Sequence, residues 1–222
     1  MEQAIIYAIY VHALLGGVGL LAGGISVIAA KGKTLHTRSG NVFSVSMIGS
    51  ALISLGVASL PNHQNLFLFL IGVFTIYMVL AGNRALRLTV KNKTKVSATD
   101  QILSGAMLAG SVAMILIGTY RMIYEQPNGI LFIFFGGVGV LMTTSDFKTY
   151  RTFQKDRHVR MRSHIGKMVG ALIASVTAFI VAGLDFKTVV AWLSPTLLGI
   201  PYIIYWTRRF KTKEKTVVQS DT

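Results

Sequence analysis

Long apolar runs alternate with short polar segments along the whole chain. Seven such runs can be recognised, at approximately residues 4–30, 42–60, 66–86, 101–124, 130–145, 165–184 and 188–210. Most of them reach the roughly 20 residues that a helix needs to cross about 30 Å of hydrocarbon. The fifth is the shortest, and we expect its helix to continue to Tyr150 at the interface. The pattern predicts an all-α polytopic membrane protein with seven transmembrane helices in one bundle.

The spacing of the runs also predicts the domain organisation. Because the linkers are short, residues 1–210 are predicted to form a single transmembrane domain. Residues 211–222 are predicted to be a short basic and polar tail without order. The first run lacks a basic start and is too long for a signal peptide core, so we interpret it as a helix of the protein. No repeat period is evident in the sequence.

Composition agrees with a membrane protein and excludes some chemistry. Of the 222 residues, 52% are hydrophobic and 14% are charged, whereas about a quarter of a soluble domain is charged. The chain contains no cysteine. This excludes thiol nucleophiles, disulfides, cysteine-ligated zinc and iron–sulfur clusters.

The net charge of +14 is distributed unevenly between the two sides of the predicted bundle. Nearly all Lys and Arg residues follow the first, third, fifth and seventh runs, and only Arg121 and Lys187 fall on the other side. Short basic loops remain in the cytoplasm. The bias therefore predicts an outside N-terminus, a cytoplasmic C-terminus and an odd number of spans. The same charge favours anionic lipid headgroups of the bilayer as partners, whereas nucleic acid is not expected, because no polar segment has the length of a reader module.

The first run carries one histidine on a stripe of small residues. His12 shares this helical face with Gly16, Gly19 and Gly23, and small residues allow helices to approach closely in lipid. An imidazole in hydrocarbon needs a partner, so the stripe is predicted to face protein. One interpretation is that His12 hydrogen-bonds a neighbouring helix. The other is a ligand or proton site in the outer half of the bundle.

Two prolines interrupt the last run. Pro195 and Pro201 each remove a backbone hydrogen bond and crowd the carbonyl four residues earlier, at Ala191 and Leu197. Such helices kink, and the released carbonyls need other donors. The kink is interpreted either as packing or as the wall of a cavity.

Ionisable residues limit the chemistry of the membrane interior. No carboxylate lies deep in a predicted span, and Asp146 lies at the inner end of the fifth helix. This disfavours a proton-coupled antiporter, which usually needs buried carboxylates. A haem held by two histidines is also disfavoured, since His12 and His164 differ in height by about 20 Å on the helix rise. A haem with one His and one Met ligand stays open.

The predicted topology gathers another group of polar residues on the cytoplasmic side: His36, Arg38, Asp146, His158 and His164. Imidazoles with carboxylates are ligands for a divalent metal, with His36 and His164 as the candidate pair. Arg and His side chains could instead hold a phosphate or a lipid headgroup. The alternative to any site is a solvated basic loop.

The loop "KGKTLHTRSGN" at residues 31–41 is the centre of this prediction. Gly32 and Gly40 give the backbone freedom for a tight turn at each end. We expect the loop to fold back so that His36 lies near His164 at the start of the sixth helix. In the alternative interpretation, Ser39 caps the second helix and the loop is only a basic hinge.

Three stretches resemble a family of uncharacterised bacterial multispan membrane proteins with a His-x-Arg-x-Gly loop after the first helix. They are "KGKTLHTRSGNVFSVSM", "HIGKMVGALIASVTAF" and "WLSPTLLGIP". The resemblance implies a multi-pass protein of the bacterial plasma membrane and brings no activity with it. Thr37 departs from the family, in which a basic residue commonly follows the loop histidine. The matched positions are His36, Arg38, Gly40, His164 and Pro195.

The sequence supports three hypotheses of function. The leading one is a cytoplasm-facing polar site that binds a metal, a phosphate or a lipid headgroup. The second is a small-molecule carrier or channel that uses the proline-kinked last helix. The third is a structural or accessory subunit. Whether the protein is an enzyme stays open.

Overall fold

The computed structural model describes residues 2–88, 96–154, 157–186 and 188–220, with the backbone alone described at residues 157, 189 and 211–220. Regular structure in these residues is entirely helical. The helices are α1 (Glu2–Ile28), α2 (Thr34–Val57), α3 (Leu66–Ala85), α4 (Ala98–Ile123), α5 (Gly129–Thr152), α6 (Arg157–Ala178) and α7 (Val189–Ser220). A π-helical segment, Phe179–Gly183, continues α6. The predicted all-α class is confirmed.

Six of these helices meet the length and hydropathy expected of a membrane span. Within the described residues, α1 to α6 are long and apolar enough to cross a membrane, with the π-helical segment counted as part of α6. This is consistent with a multi-pass integral membrane protein. Both Pro195 and Pro201 lie inside α7, as the sequence predicts.

Several helices extend beyond the apolar runs that predict them. The second helix begins at Thr34 rather than at residue 42, so most of the predicted loop is helical. The fifth ends at Thr152 rather than at residue 145, and the sixth begins at Arg157 rather than at residue 165. Polar side chains at these ends bond to neighbouring helices, so the helix persists where the apolar pattern stops. The α7 backbone is helical through residues 211–220, where the sequence predicts a disordered tail.

The chain divides into two compact units, and the single transmembrane domain at residues 1–210 stays a prediction. The N-terminal unit comprises Met1–Leu80 and Gly105–Thr143, and the C-terminal unit comprises Ala81–Ser104 and Thr144–Thr222. Helices α3, α4 and α5 each contribute to both units. Several basic residues that support the predicted topology lie outside the described residues: Lys91, Lys93, Lys95 and Lys155. Lys187, one of the two cations predicted on the other side, also lies outside them.

Close packing of α4 on α5 in the N-terminal unit depends on glycine. A Cβ atom built on Gly136 would lie 2.7 Å from the carbonyl oxygen of Ser111, and one on Gly118 would lie 2.7 Å from that of Gly129. A backbone atom cannot move away as a flexible side chain can. Without a hydrophobic force between helices in lipid, such close approach is a main source of helix association. Gly137, the next residue, has open space around it.

Candidate functional site

Helices α1 and α2 are joined at one end by a reciprocal pair of hydrogen bonds. The Nδ1 of His12 lies 2.8 Å from the carbonyl oxygen of Ser50, to which it donates. The hydroxyl of Ser50 donates in return to the carbonyl oxygen of His12, at 3.0 Å. His12 therefore faces the neighbouring helix, and its polar ring is satisfied without a ligand at Nδ1.

The same pair occurs at the other end of the two helices with the roles exchanged. The Nδ1 of His36 on α2 donates to the carbonyl oxygen of Ser26 on α1, at 2.9 Å. The Ser26 hydroxyl lies 3.4 Å from the carbonyl oxygen of His36. We call these two arrangements the His–Ser pairs.

A repeated sequence pattern underlies the His–Ser pairs. The pattern is His, then Gly four positions later, then Ser ten positions after that. Fourteen residues are close to four helical turns, so His and Ser of one copy lie on the same helical face. In an antiparallel hairpin the His of each copy then meets the Ser of the other. The apolar pattern alone does not reveal this repeat. Its members are His12, Gly16 and Ser26 in α1 and His36, Gly40 and Ser50 in α2.

The segment between α1 and α2 differs from the predicted loop. Ser39 does not cap α2, because its hydroxyl donates to the carbonyl of Leu35 within the helix, at 2.7 Å. Gly40 is helical, and only Gly32 of the two predicted turn glycines has a positive φ, of 78°. The ammonium of Lys31 donates to carbonyls at the end of α1, and desolvation by burial lowers the pKa of Lys31. Arg38 is exposed.

The C-terminal unit contains a group of charged and hydroxyl side chains that we call the polar cluster. Its centre is Asp146 on α5, which is 2% exposed. One carboxylate oxygen accepts from the ammonium of Lys167 on α6, which is 4% exposed, and the other accepts from the hydroxyl of Ser104 at 2.9 Å. The remaining members of the cluster are Arg84, Asp100, Tyr150 and Ser163.

A second ion pair joins the ends of α3 and α4. Arg84 lies in the last turn of α3 and Asp100 lies in the first turn of α4. Each charge is at the helix terminus whose dipole favours it, because cations are stabilised at C-termini and anions at N-termini. The Nε of Arg84 donates to the Asp100 carboxylate, which is buried. The two pairs together make the cluster electrically neutral.

Tyr150 connects the two ion pairs. Its hydroxyl lies 2.9 Å from the hydroxyl of Ser104, and it is also placed to donate to the carbonyl oxygen of Asp100 at 3.1 Å. Ser104 is fully buried and contacts both Tyr150 and Asp146. The hydrogen bonds therefore run without a break from Tyr150 to the carboxylate of Asp146.

A pocket borders the polar cluster at Tyr150. Its volume is about 400 Å³, and it is lined by Val96, Gln101, Phe147, Tyr150 and Arg151. Phe147 and Val96 provide apolar surface, and Gln101 and Arg151 provide polar groups. Arg151 is exposed and lies in the last turn of α5. In the part of the lining that the structure describes, the pocket therefore combines one cation with an apolar wall, next to the polar cluster.

The predicted site residues are divided between the two units. His36 and Arg38 belong to the N-terminal unit, and Asp146, His158 and His164 belong to the C-terminal unit. The Nδ1 of His164 donates to the carbonyl oxygen of Gly82 at the end of α3, at 2.9 Å. Among the described residues, no group of three or more His, Asp and Glu side chains is placed to hold a metal. The proposed metal pair of His36 and His164 stays a prediction.

The structure adds burial to what the apolar pattern predicts for the carboxylates. Asp146 and Asp100 lie towards the ends of α5 and α4, and both are buried against other helices. The reason is that α4 and α5 extend past the apolar runs and bury their polar ends against each other. The sequence contains a signal for this site, since Lys167 falls within the sixth apolar run although it reads as a loop cation. A cation inside such a run is rarely without a function.

Nucleophilic catalysis by Ser163 is not supported by its surroundings. The Ser163 hydroxyl lies 2.6 Å from the ammonium nitrogen of Lys167, which is the spacing of a serine–lysine nucleophile. However, Lys167 also donates to the carboxylate of Asp146. An adjacent carboxylate favours the charged ammonium, which has no electron pair with which to accept the serine proton. The arrangement is better suited to moving or balancing charge.

Comparisons of this chain with protein-family models, with curated proteins and with solved structures find no match.

Proposed function

We propose that this chain is a seven-span protein of the bacterial plasma membrane with its N-terminus outside and its C-terminus in the cytoplasm. The distribution of Lys and Arg supports this orientation. In a chain that crosses the membrane at every helix, the ends of α3 and α5 and the starts of α4 and α6 lie on the same side. In this topology the polar cluster and its pocket face the cytoplasm.

Reporter fusions test the topology directly. Fusions at residues 63, 92 and 215 are expected to report outside, inside and inside. An inside signal at residue 63 would contradict the orientation, and an outside signal at residue 215 would mean that α7 does not span.

We infer further that the pocket binds a phosphate-bearing anionic group, either the headgroup of a membrane lipid or a soluble phosphate. The observation that carries this proposal is the position of Arg151 beside the apolar wall formed by Phe147 and Val96. An amphiphile at a membrane surface presents the same combination of an anion next to an apolar chain. Arginine binds phosphate well because its planar guanidinium offers paired donors.

Charge balance supports Arg151 as the anion-binding group. The cations of the polar cluster, Lys167 and Arg84, are already paired with carboxylates. Among the described residues, no carboxylate lies within ion-pair distance of Arg151. We infer that its charge binds a ligand that reaches the pocket from the interface.

The test compares two cations on the same helix. Arg151→Gln removes the pocket cation, and Lys148→Gln removes an exposed cation one turn earlier that does not line the pocket. Binding of spin-labelled phosphatidylglycerol is measured for the full chain in phosphatidylcholine nanodiscs. We expect Arg151→Gln to weaken binding about tenfold, since a hydrogen bond to a charged group contributes about 1.5–3 kcal/mol.

The outcomes separate the two sources of phosphate. Lipid binding that depends on Arg151 but not on Lys148 supports a headgroup site. If glycerol phosphate binds with the same dependence on Arg151 and the lipid does not, the ligand is a soluble phosphate. Equal losses in the two variants would contradict a site, because they would reflect only the charge of the surface.

The interruption of regular α-helix at the end of α6, which packs on α7, favours a carrier as the second candidate. A Cβ on Gly199 of α7 would overlap the side chain of Ile173 on α6. The π-helical segment lies at the end of α6, and such segments are frequent at functional sites. Cross-linking of cysteines introduced on α6 and α7 tests this reading, because a carrier requires the distance between the helices to change with substrate.

A further inference from the structure

The hydrogen bonds of the polar cluster have a direction that neither proposed function uses. The sequence of groups runs from the pocket to Tyr150, then to Ser104, then to Asp146. Both steps measure 2.9 Å, which is within the range for O–H···O bonds. Ser104 donates to Asp146 and has only one proton, so the bond between the two hydroxyls is donated by Tyr150. In this line of hydrogen bonds, the hydroxyls of Tyr150 and Ser104 therefore both donate in the direction from the pocket towards the carboxylate.

Of the three hydrogen-bonded residues Tyr150, Ser104 and Asp146, Tyr150 alone is among the described residues that line the pocket. The Asp100 carbonyl gives its hydroxyl proton a second acceptor, at 3.1 Å. Tyr150 can therefore turn its proton away from Ser104 and back again without leaving its position. A group that can reorient between two acceptors is what a proton-transfer chain needs in order to reset after each transfer.

We propose that Tyr150 and Ser104 carry a proton from the pocket to the Asp146–Lys167 ion pair. A hydronium ion in the pocket gives a proton to the oxygen of Tyr150, whose own proton passes to Ser104. The proton of Ser104 passes to the carboxylate of Asp146, and water is left in the pocket. The product is a neutral carboxylic acid beside the ammonium of Lys167, and no electrons are transferred. The inference goes beyond anion binding and does not depend on it.

Protonation of Asp146 changes the charge of the cluster around it. Before transfer the cluster is neutral, and after transfer it carries one uncompensated positive charge on Lys167. A buried charge without a partner is costly, so the cluster is expected to rearrange or to attract an anion. Among the described residues, the titratable groups of the cluster besides Asp146 are Lys167 on α6, Tyr150 on α5, Asp100 on α4 and Arg84 on α3. His164, also on α6, donates to the carbonyl oxygen of Gly82 at the end of α3.

The experiment follows protonation of Asp146 by infrared spectroscopy. The full chain in lipid nanodiscs is subjected to a rapid drop in pH in a buffer without phosphate, and the carbonyl stretch of a protonated carboxylic acid is recorded over time. The part of the signal that Asp146→Asn removes belongs to Asp146. Tyr150→Phe keeps the ring and removes the relay hydroxyl, and we expect it to slow this part roughly tenfold or more, as loss of a proton-transfer group does in enzymes.

Two further variants distinguish loss of proton transfer from a general effect of substitution on the fold. Ser104→Ala interrupts the chain at its second step and is expected to slow the signal as Tyr150→Phe does. Tyr120→Phe removes an exposed tyrosine hydroxyl in the N-terminal unit and is expected to leave the rate unchanged. Circular dichroism checks that each variant is folded.

The proposal is overturned if Asp146→Asn leaves the signal intact, because Asp146 then takes up no proton. It is also overturned if a folded Tyr150→Phe or Ser104→Ala variant retains the rate of the unmodified chain. No anion is added in these measurements, so a failure of phosphate binding at Arg151 leaves this result independent.

Discussion

Polar side chains are held between helices in two regions of this protein, the hairpin of α1 and α2 and the polar cluster of the C-terminal unit. The two regions hold them by different interactions. Both must hold polar side chains inside a protein whose surroundings are apolar. In the hairpin, each imidazole donates to a backbone carbonyl of the other helix, which is an uncharged acceptor. In the cluster, Asp146 and Lys167 form an ion pair that is almost completely buried.

This difference separates polar groups that hold helices together from polar groups that can change state. A neutral bond between helices in a membrane contributes only about 0.6 kcal/mol on average, so the hairpin depends mainly on the close packing of its glycines. A buried ion pair gains little over an apolar pair of the same volume, yet losing one partner costs a great deal. A charged pair in such a place is therefore better explained by function than by stability.

The largest effect is expected from leaving Asp146 without its cation. Lys167→Met should lower the free energy of unfolding by about 3–5 kcal/mol, because an uncompensated buried carboxylate remains. The measurement is unfolding of the purified protein in mixed micelles, followed by circular dichroism. Lys148→Met, an exposed cation on α5, is the control and should have little effect.

A double variant sharpens this result. Asp146→Leu combined with Lys167→Met should recover most of the stability that Lys167→Met loses, because no charge is left unpaired. Recovery of stability together with loss of the infrared signal would separate the function of the pair from its structural contribution. A double variant that is less stable than Lys167→Met would show that the pair itself stabilises the unit.

The next largest loss of stability is expected from overpacking the contact between α1 and α2. A Cβ on Gly19 would overlap Met47 of α2, whereas Gly17 has open space around it. Gly19→Leu should therefore cost about 1–3 kcal/mol by overpacking. Gly17→Leu should be neutral or slightly stabilising in the same unfolding measurement, since leucine favours helix more than glycine does. Equal effects of the two substitutions would mean that the Gly19 face of α1 does not pack on α2.

The smallest effect is expected from the His–Ser pairs. Ser50→Ala should cost about 0.6 kcal/mol, the average for a hydrogen bond between membrane helices. Ser26→Ala should cost the same amount, because the two pairs are related by the repeat. Thermal unfolding of each variant in detergent measures this. A loss of several kcal/mol in only one of them would show that the pairs are not equivalent.

The length of the apolar runs by itself predicts the helices, because a helix that crosses a membrane must present apolar side chains over most of its length. Seven runs predict seven helices, and the run at 66–86 agrees closely with α3. The stripe of Gly16, Gly19 and Gly23 likewise predicts that one face of α1 meets protein, and Gly19 and Gly23 are buried. The His-Gly-Ser repeat was also present in the sequence, as a spacing of polar residues within apolar runs.

Only the tertiary structure decided which polar groups are buried together. The fifth apolar run stops just before Asp146, and Lys167 lies two residues inside the start of the sixth, next to a basic loop. From the sequence the two are therefore interpreted as the end of a helix and part of a loop. The helices continue past those points because residues 21 to 46 positions apart supply the missing partners. A carboxylate is stable in such a place only when a cation and a donor on other helices reach it. That pairing depends on the packing of α4, α5 and α6, which no local pattern in the sequence encodes.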